Sequence, residues 1–128
     1  MRVIRTIHPV GHGGFFTEEL CDVTECYNVV YDCGTRNGTI LLEREVNKAF
    51  NRKLSVDLLF ISHLDRDHVS GLKELARRNL LNSSTKVVMP FHYPSYFVIL
   101  NPFLYAYYEQ CMLILRSTGA TIVEVEEQ

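Results

Sequence analysis

His63, Asp65, Asp67 and His68 put four side chains able to ligate metal within six residues. Imidazole nitrogens and carboxylate oxygens together suit divalent first-row metals. Alternate residues of an extended loop can converge on one ion while the adjacent Asp67-His68 pair turns toward a second, so the spacing accommodates one or two ions. Helix capping explains less: an aspartate beside the positive end of a following helix is favourable, but it accounts for one of the four residues. A calcium-binding EF-hand is excluded, because Val69 and Ala76 stand where an oxygen ligand and the closing glutamate would be required. No GxxxxGK[ST] phosphate-binding run occurs.

The elements that must hold this cluster can be read from the flanking patterns. Val56–Ile61 is a short continuous apolar run, the mark of a strand buried on both faces, and polar residues follow abruptly at its carboxyl end. That end of a sheet strand is where layered α/β proteins build their sites. A helix over Val69–Leu81 then places Val69, Leu72, Leu75, Ala76 and Leu80 on one stripe. Upstream, strands at Val3–His8 and Phe15–Leu20 are joined by the glycine-rich turn Pro9–Gly14 as a hairpin. A third strand, Tyr27–Tyr31, stops at Asp32-Cys33-Gly34, and a helix follows from about Ile40 to Phe50. Downstream come a strand at Lys86–Met89, a helix over Pro102–Ser117 closed by Gly119, and a strand at Thr121–Val125. The order βββαβαβαβ predicts an α/β layered fold with a mixed sheet, part of it mostly parallel.

With 128 residues the chain is the length of one domain, and neither repeat nor linker divides 1–128. A hydrophobic fraction of 47% excludes a disordered or fibrous chain. The formal charge of −2, from 13 basic and 15 acidic side chains, excludes the global positive field common in nucleic-acid binders. The apolar stretch Tyr96–Tyr108 is interrupted by Asn101 and Pro102 and is too short for a membrane crossing. No CxxC pair or leader accompanies Cys21, Cys26, Cys33 and Cys111, so the expectation is reduced thiols in the cytoplasm. Cys21 and Cys26 could nevertheless face each other across a turn.

At the level of motifs, the run from Val56 through Ser62-His63-Leu64-Asp65-Arg66-Asp67-His68 to Leu72 resembles the second motif of the metallo-β-lactamase fold superfamily, ordinarily HxHxDH followed by a helix. The HxDxDH variant is similar to that of the metallo-β-lactamase-like domain of DNA-uptake competence proteins. Pro9-Val10-Gly11-His12-Gly13-Gly14 is similar to the early VGQG-type turn of that branch, with His12 at the glutamine position. Tyr31-Asp32-Cys33-Gly34 is similar to its strand-ending D-x-G. The resemblance implies that the mixed α/β sheet is the N-terminal half of an αββα sandwich. It implies that His63 and Asp65 serve a first metal, Asp67 and His68 a second, with Asp67 the candidate catalytic residue. Asp32 would orient the metal loop by hydrogen bonding. A carboxylate where most relatives carry histidine hardens the first site, so manganese or magnesium competes better with zinc. His8, His12 and His92 are candidate residues at the site margin.

The third-motif histidine, the bridging acid and the late histidine of the superfamily have no counterpart here. The chain therefore reads as a domain lacking its second half: a fragment, a subunit of a homo-oligomer or other assembly that supplies the rest, or a short member that has lost catalysis. The chemistry implied is hydrolysis by a metal-activated water. The competence-type motif favours phosphodiesters, small or in nucleic acid, over thioesters and lactones. The competing reading is a catalytically incomplete metal-binding or partner-docking module that works through its aromatic segment Phe97–Leu115.

Overall fold

Three segments rich in β-branched and aromatic residues open the chain. A computed structural model, which describes residues 1–51, 55–64, 69–89 and 96–125, shows them as an antiparallel meander of β1 (Arg2–Ile7), β2 (Gly13–Cys21) and β3 (Cys26–Thr35). The chain continues through α1 (Thr39–Ala49), β4 (Leu58–Phe60), α2 (Leu72–Arg77), β5 (Lys86–Met89), α3 (Phe97–Leu100), α4 (Pro102–Ser117) and β6 (Thr121–Glu124). All six strands form one mixed sheet in the order β1-β2-β3-β4-β5-β6, parallel from β3 onward. The expected fold class and element order stand, with the short α3 added. Among the described residues no helix is long and apolar enough to cross a membrane.

Three elements differ from expectation, each for a local reason: β3, expected to stop at Asp32-Cys33-Gly34, continues through them to Thr35 because the pairing with β2 resumes after a register shift. The helix expected over Val69–Leu81 has α2 ending at Arg77, because Asn79 adopts a left-handed φ of 57°. The Asn79 N–H then donates to the Ala76 carbonyl and the Leu80 N–H to the Leu75 carbonyl, the hydrogen-bond pair that closes a helix and turns Leu80 into the core. The Val56–Ile61 strand is covered on one face only. Leu59 and Ile61 are wholly buried, whereas Leu58 and Phe60, which alternate with them, are half-buried.

That asymmetry runs through the sheet. Val30, Leu59, Ile61, Val87 and Met89 join Leu42 and Val46 of α1, Leu72 and Leu75 of α2, and Met112 and Leu115 of α4 in one buried cluster. On the opposite face the register aligns Ile7, Phe16, Tyr31, Phe60, Val88 and Val123, and Ile7 is 77% exposed. Helix α4, apolar on every side in sequence, buries only Tyr108, Cys111, Met112 and Leu115; Phe103 is 88% and Leu113 70% exposed.

The cysteine expectation needs correcting. Cys21 and Cys26 face each other across the β2–β3 hairpin with Cα atoms 4.1 Å apart, and their sulfurs are joined in a disulfide; Cys33 and Cys111 are free and buried. Direct opposition in an antiparallel pair brought the sulfurs together, a relation that sequence separation alone left open.

Removing one side chain from each face tests this division of the sheet. Leu59→Ala should cost about 2–5 kcal/mol in urea unfolding, the range for emptying a closed core site. Ile7→Ala should fall within about 0.5 kcal/mol, as expected of an exposed position; a loss as large as that of Leu59→Ala would mean that the outer face is covered in solution.

Candidate metal centre

The site begins with an irregularity in β3. Phe15 pairs with Cys33 and Phe16 with Tyr31, so Asp32 is the extra residue of a β-bulge, and it takes a left-handed φ of 57°. Aspartate tolerates that conformation better than most side chains, and a bulge redirects the side chain it carries. Buried Asp32 is aimed at the segment leaving β4: one carboxylate oxygen accepts the Ser62 N–H at 2.7 Å and the other the Ser62 hydroxyl at 2.5 Å. His63 follows directly and is exposed, while Leu64 returns to the core.

The far end of the same loop is held by the next residues of β3. The Ser70 hydroxyl accepts the Thr35 N–H at 2.8 Å and lies 3.1 Å from the Thr35 carbonyl, to which it donates. The Gly71 N–H donates to the Cys33 carbonyl at 2.7 Å. No side chain fits at Gly71: a Cβ there would overlap the Cys33 sulfur and stand 2.8 Å from the Cys33 carbonyl oxygen. The last four residues of β3, Asp32 to Thr35, therefore grip the loop that carries the HxDxDH run at its entry and its exit. Thr35 also ties down the glycine-rich turn, donating to the Val10 carbonyl at 2.6 Å, and Arg36 donates to the His12 carbonyl at 2.8 Å. The His12 N–H in turn reaches Asn37 at 2.5 Å.

Of the sequence candidates, the fold thus gathers Asp32, His63 and the His12 turn toward one end of the sheet. Asp65, Asp67, His68 and His92 lie outside the described residues. His8 goes elsewhere, into the space between the hairpin and α1, where it stacks on Phe15 at 4.2 Å and shares a 2.8 Å hydrogen bond with Thr17. Its other nitrogen is 3.8 Å from buried Glu45, whose carboxylate also meets Lys48 at 3.3 Å. Burial lowers the proton affinity of His8, and the charge of Glu45 and a hydrogen bond to it only partly oppose that effect. Burial, with Glu74 and Asp32 nearby, raises the Cys33 thiol far above its ordinary range, so Cys33 is a packing residue rather than a nucleophile. Sequence reasoning missed the clamp residues Ser62, Thr35, Ser70 and Gly71. Their signal was the run of small hydroxyl and glycine residues flanking the metal-competent cluster.

Gly71→Ala should destabilise the chain by about 1–3 kcal/mol in denaturant unfolding, the usual cost of forcing an extra carbon into a filled site. His8 supplies a pH signature. Its folded proton affinity is below the unfolded value near 6.5, so its contribution is complete above that pH and is lost as pH falls through and below it. Urea titrations at pH 7 and pH 5 should show a smaller acid loss in His8→Gln than in the parent chain.

Residues 23–80 match the family model described as the metallo-beta-lactamase superfamily, a span that contains β3, the clamp and the whole HxDxDH loop. No curated protein matches the sequence. Among solved structures, the metallo-beta-lactamase fold protein YhfI from Bacillus subtilis superposes with a TM-score of 0.60 at 11% identity, covering 98% of this chain and 47% of that one. A protein of Thermotoga maritima described as a candidate metallo-beta-lactamase gives a TM-score of 0.55 at 11% identity, covering 99% of this chain and 61% of its own. The chain thus spans about half to three fifths of the length of these structural relatives. Over nearly all of its length the chain therefore has the metallo-beta-lactamase fold of these structures, and residues 23–80 are similar to the superfamily's model.

Proposed function

We propose that this chain carries the metal loop of a metal-dependent hydrolase and that the bond it helps to break is a phosphodiester. The observation that supports this best is the buried Asp32 carboxylate, spent on Ser62 immediately before His63. A carboxylate held out of water in that way fixes the direction in which the loop leaves β4, as outer partners of metal ligands do. The donor set of His63, Asp65, Asp67 and His68 fits one or two divalent ions, and its two carboxylates suit manganese or magnesium as well as zinc. Such an ion would supply the positive charge that makes water acidic enough to attack at neutral pH and that offsets charge building on phosphoryl oxygens. Within the chain, His63 and Asp65 would hold one ion and His68 another. Asp67 would ligate beside His68 and take the proton of the attacking water. His12 would border the site, as would His92.

The reading includes a partner. Donors beyond these residues would come from a C-terminal half or from a second copy covering the outer sheet face, where Ile7, Phe16 and Tyr31 are exposed. A second reading, a partner-docking module without turnover, is favoured by Ile99, Leu100 and Phe103, each at least 70% exposed. The cytoplasm is the proposed compartment; the free thiols of Cys33 and Cys111 fit it, and there the Cys21–Cys26 pair would stand reduced.

Plasma mass spectrometry on chain with the Cys21–Cys26 disulfide closed, purified without chelator and titrated with manganese and zinc, should find one or two ions per chain. Asp67→Ala and His68→Ala should lose them, and unchanged stoichiometry in both would overturn the ligand assignment. Asp32→Ala should weaken affinity by about 10–100-fold without abolishing binding, the range for outer partners of ligands. Hydrolysis of bis-p-nitrophenyl phosphate, run beside a thioester and a lactone, tests the substrate class: activity on the carbonyl compounds alone rejects the phosphodiester assignment. Absence of metal binding would leave the docking module as the reading.

A further inference from the structure

A second cluster of ligating groups lies at the other end of β3. Glu19 and Cys21 alternate along β2 and so share a face, and Cys26 opens β3 directly opposite Cys21. One ligand atom from each lies within 4.8 Å of the other two. Cys26 precedes Asp32 by six residues along an extended strand, which separates this cluster from Asp32 by about 20 Å. A Glu19 carboxylate oxygen is 3.0 Å from the Cys21 sulfur, and the Arg2 guanidinium is 3.8 Å from the same oxygen. The turn between the cysteines is pinned independently of their sulfurs, because one Asp22 carboxylate oxygen accepts the N–H groups of Thr24 and Glu25 at 2.8 Å each. The hairpin is thus held by its turn and by the β2–β3 pairing as well as by the disulfide.

We propose that Cys21, Cys26 and Glu19 form a redox-gated site for a thiophilic divalent cation such as zinc, closed by the disulfide and opened by reduction. Opening needs a dithiol reductant: it gives two electrons and two protons to the Cys21–Cys26 bond, and its own two sulfurs join in a disulfide. Each cysteine is then a thiol. On binding, both thiols release their protons to solvent and their thiolates, with the Glu19 carboxylate, supply three ligands; water completes a tetrahedral set. Zinc–sulfur bonds of about 2.3 Å set the two sulfurs about 3.8 Å apart, a separation that side-chain rotation can supply between directly opposed residues. Two thiolates and a carboxylate around a dication carry one net negative charge, which Arg2 is placed to balance. The two ends of β3 would then differ in taste: a sulfur-rich site excludes magnesium and manganese, which the carboxylate-rich loop accepts.

Cobalt(II) alone is the probe, because thiolate ligation to cobalt gives a near-ultraviolet charge-transfer absorption that histidine and carboxylate ligands do not. The full chain is reduced with a phosphine, freed of it anaerobically, checked for two additional titratable thiols, and titrated with cobalt. The absorption should appear in the reduced chain, be absent from the oxidised chain, and be displaced by equimolar zinc. It should be lost in Cys26→Ser, weakened in Glu19→Gln, which keeps both cysteines and the hairpin disulfide, and unchanged in His68→Ala. A reduced chain with no such absorption overturns the proposal. So does an absorption that survives Cys26→Ser, or a disulfide that the reductant does not open. Metal uptake with no thiolate signature, lost instead in His68→Ala, would assign all binding to the HxDxDH loop.

Discussion

The carboxyl end of β3 is the constraint on which the rest depends. A single extra residue in the β2–β3 ladder turns Asp32 out of register, and from there to Thr35 the backbone and side chains serve three masters: the strand beside it, the metal loop, and the glycine-rich turn. Each of these bonds is local in space but long in sequence, joining residues 25 to 35 positions apart. The described residues at the two ends of the loop, Ser62 and Ser70-Gly71, are the points at which β3 holds it. Gly71 shows how tight this fit is, since the loop returns against the β3 backbone with no space for a methyl group.

Much of this could be read in the sequence because the signals were periodic or categorical. The β5 and α4 boundaries were legible to the residue, from a short apolar run ending before Pro90 and from Asn101-Pro102 starting a helix that Gly119 follows. The D-x-G end of β3 and the HxDxDH cluster were visible as residue types. The grip between them was not, since it depends on a bulge, and a bulge is a mismatch between two strands rather than a property of either. Asn79 ended α2 earlier than the apolar stripe suggested, because Leu80 keeps the stripe's spacing while leaving the helix. His8 stood beside the glycine-rich turn in sequence yet points into the α1 interface: alternation along β1 sends it to the helix-covered face with Ile4 and Thr6.

The two faces of the sheet explain why composition alone misled on burial. Leu58, Phe60 and Val88 are as apolar as their neighbours, yet only the alternate residues meet α1, α2 and α4. The uncovered apolar surface runs from Ile7 across to Val123, with further exposed side chains on α4.

The order of the strands has a consequence for how the protein is made. Because every strand lies beside the one synthesised just before it, each new segment meets a finished partner as it emerges, and no strand waits for a later one to be inserted between it and its neighbour. The meander of β1 to β3, whose contacts are short in sequence, can assemble first. The parallel strands then add outward one crossover at a time, so the ribosome delivers the sheet in the same sequence in which it is laid.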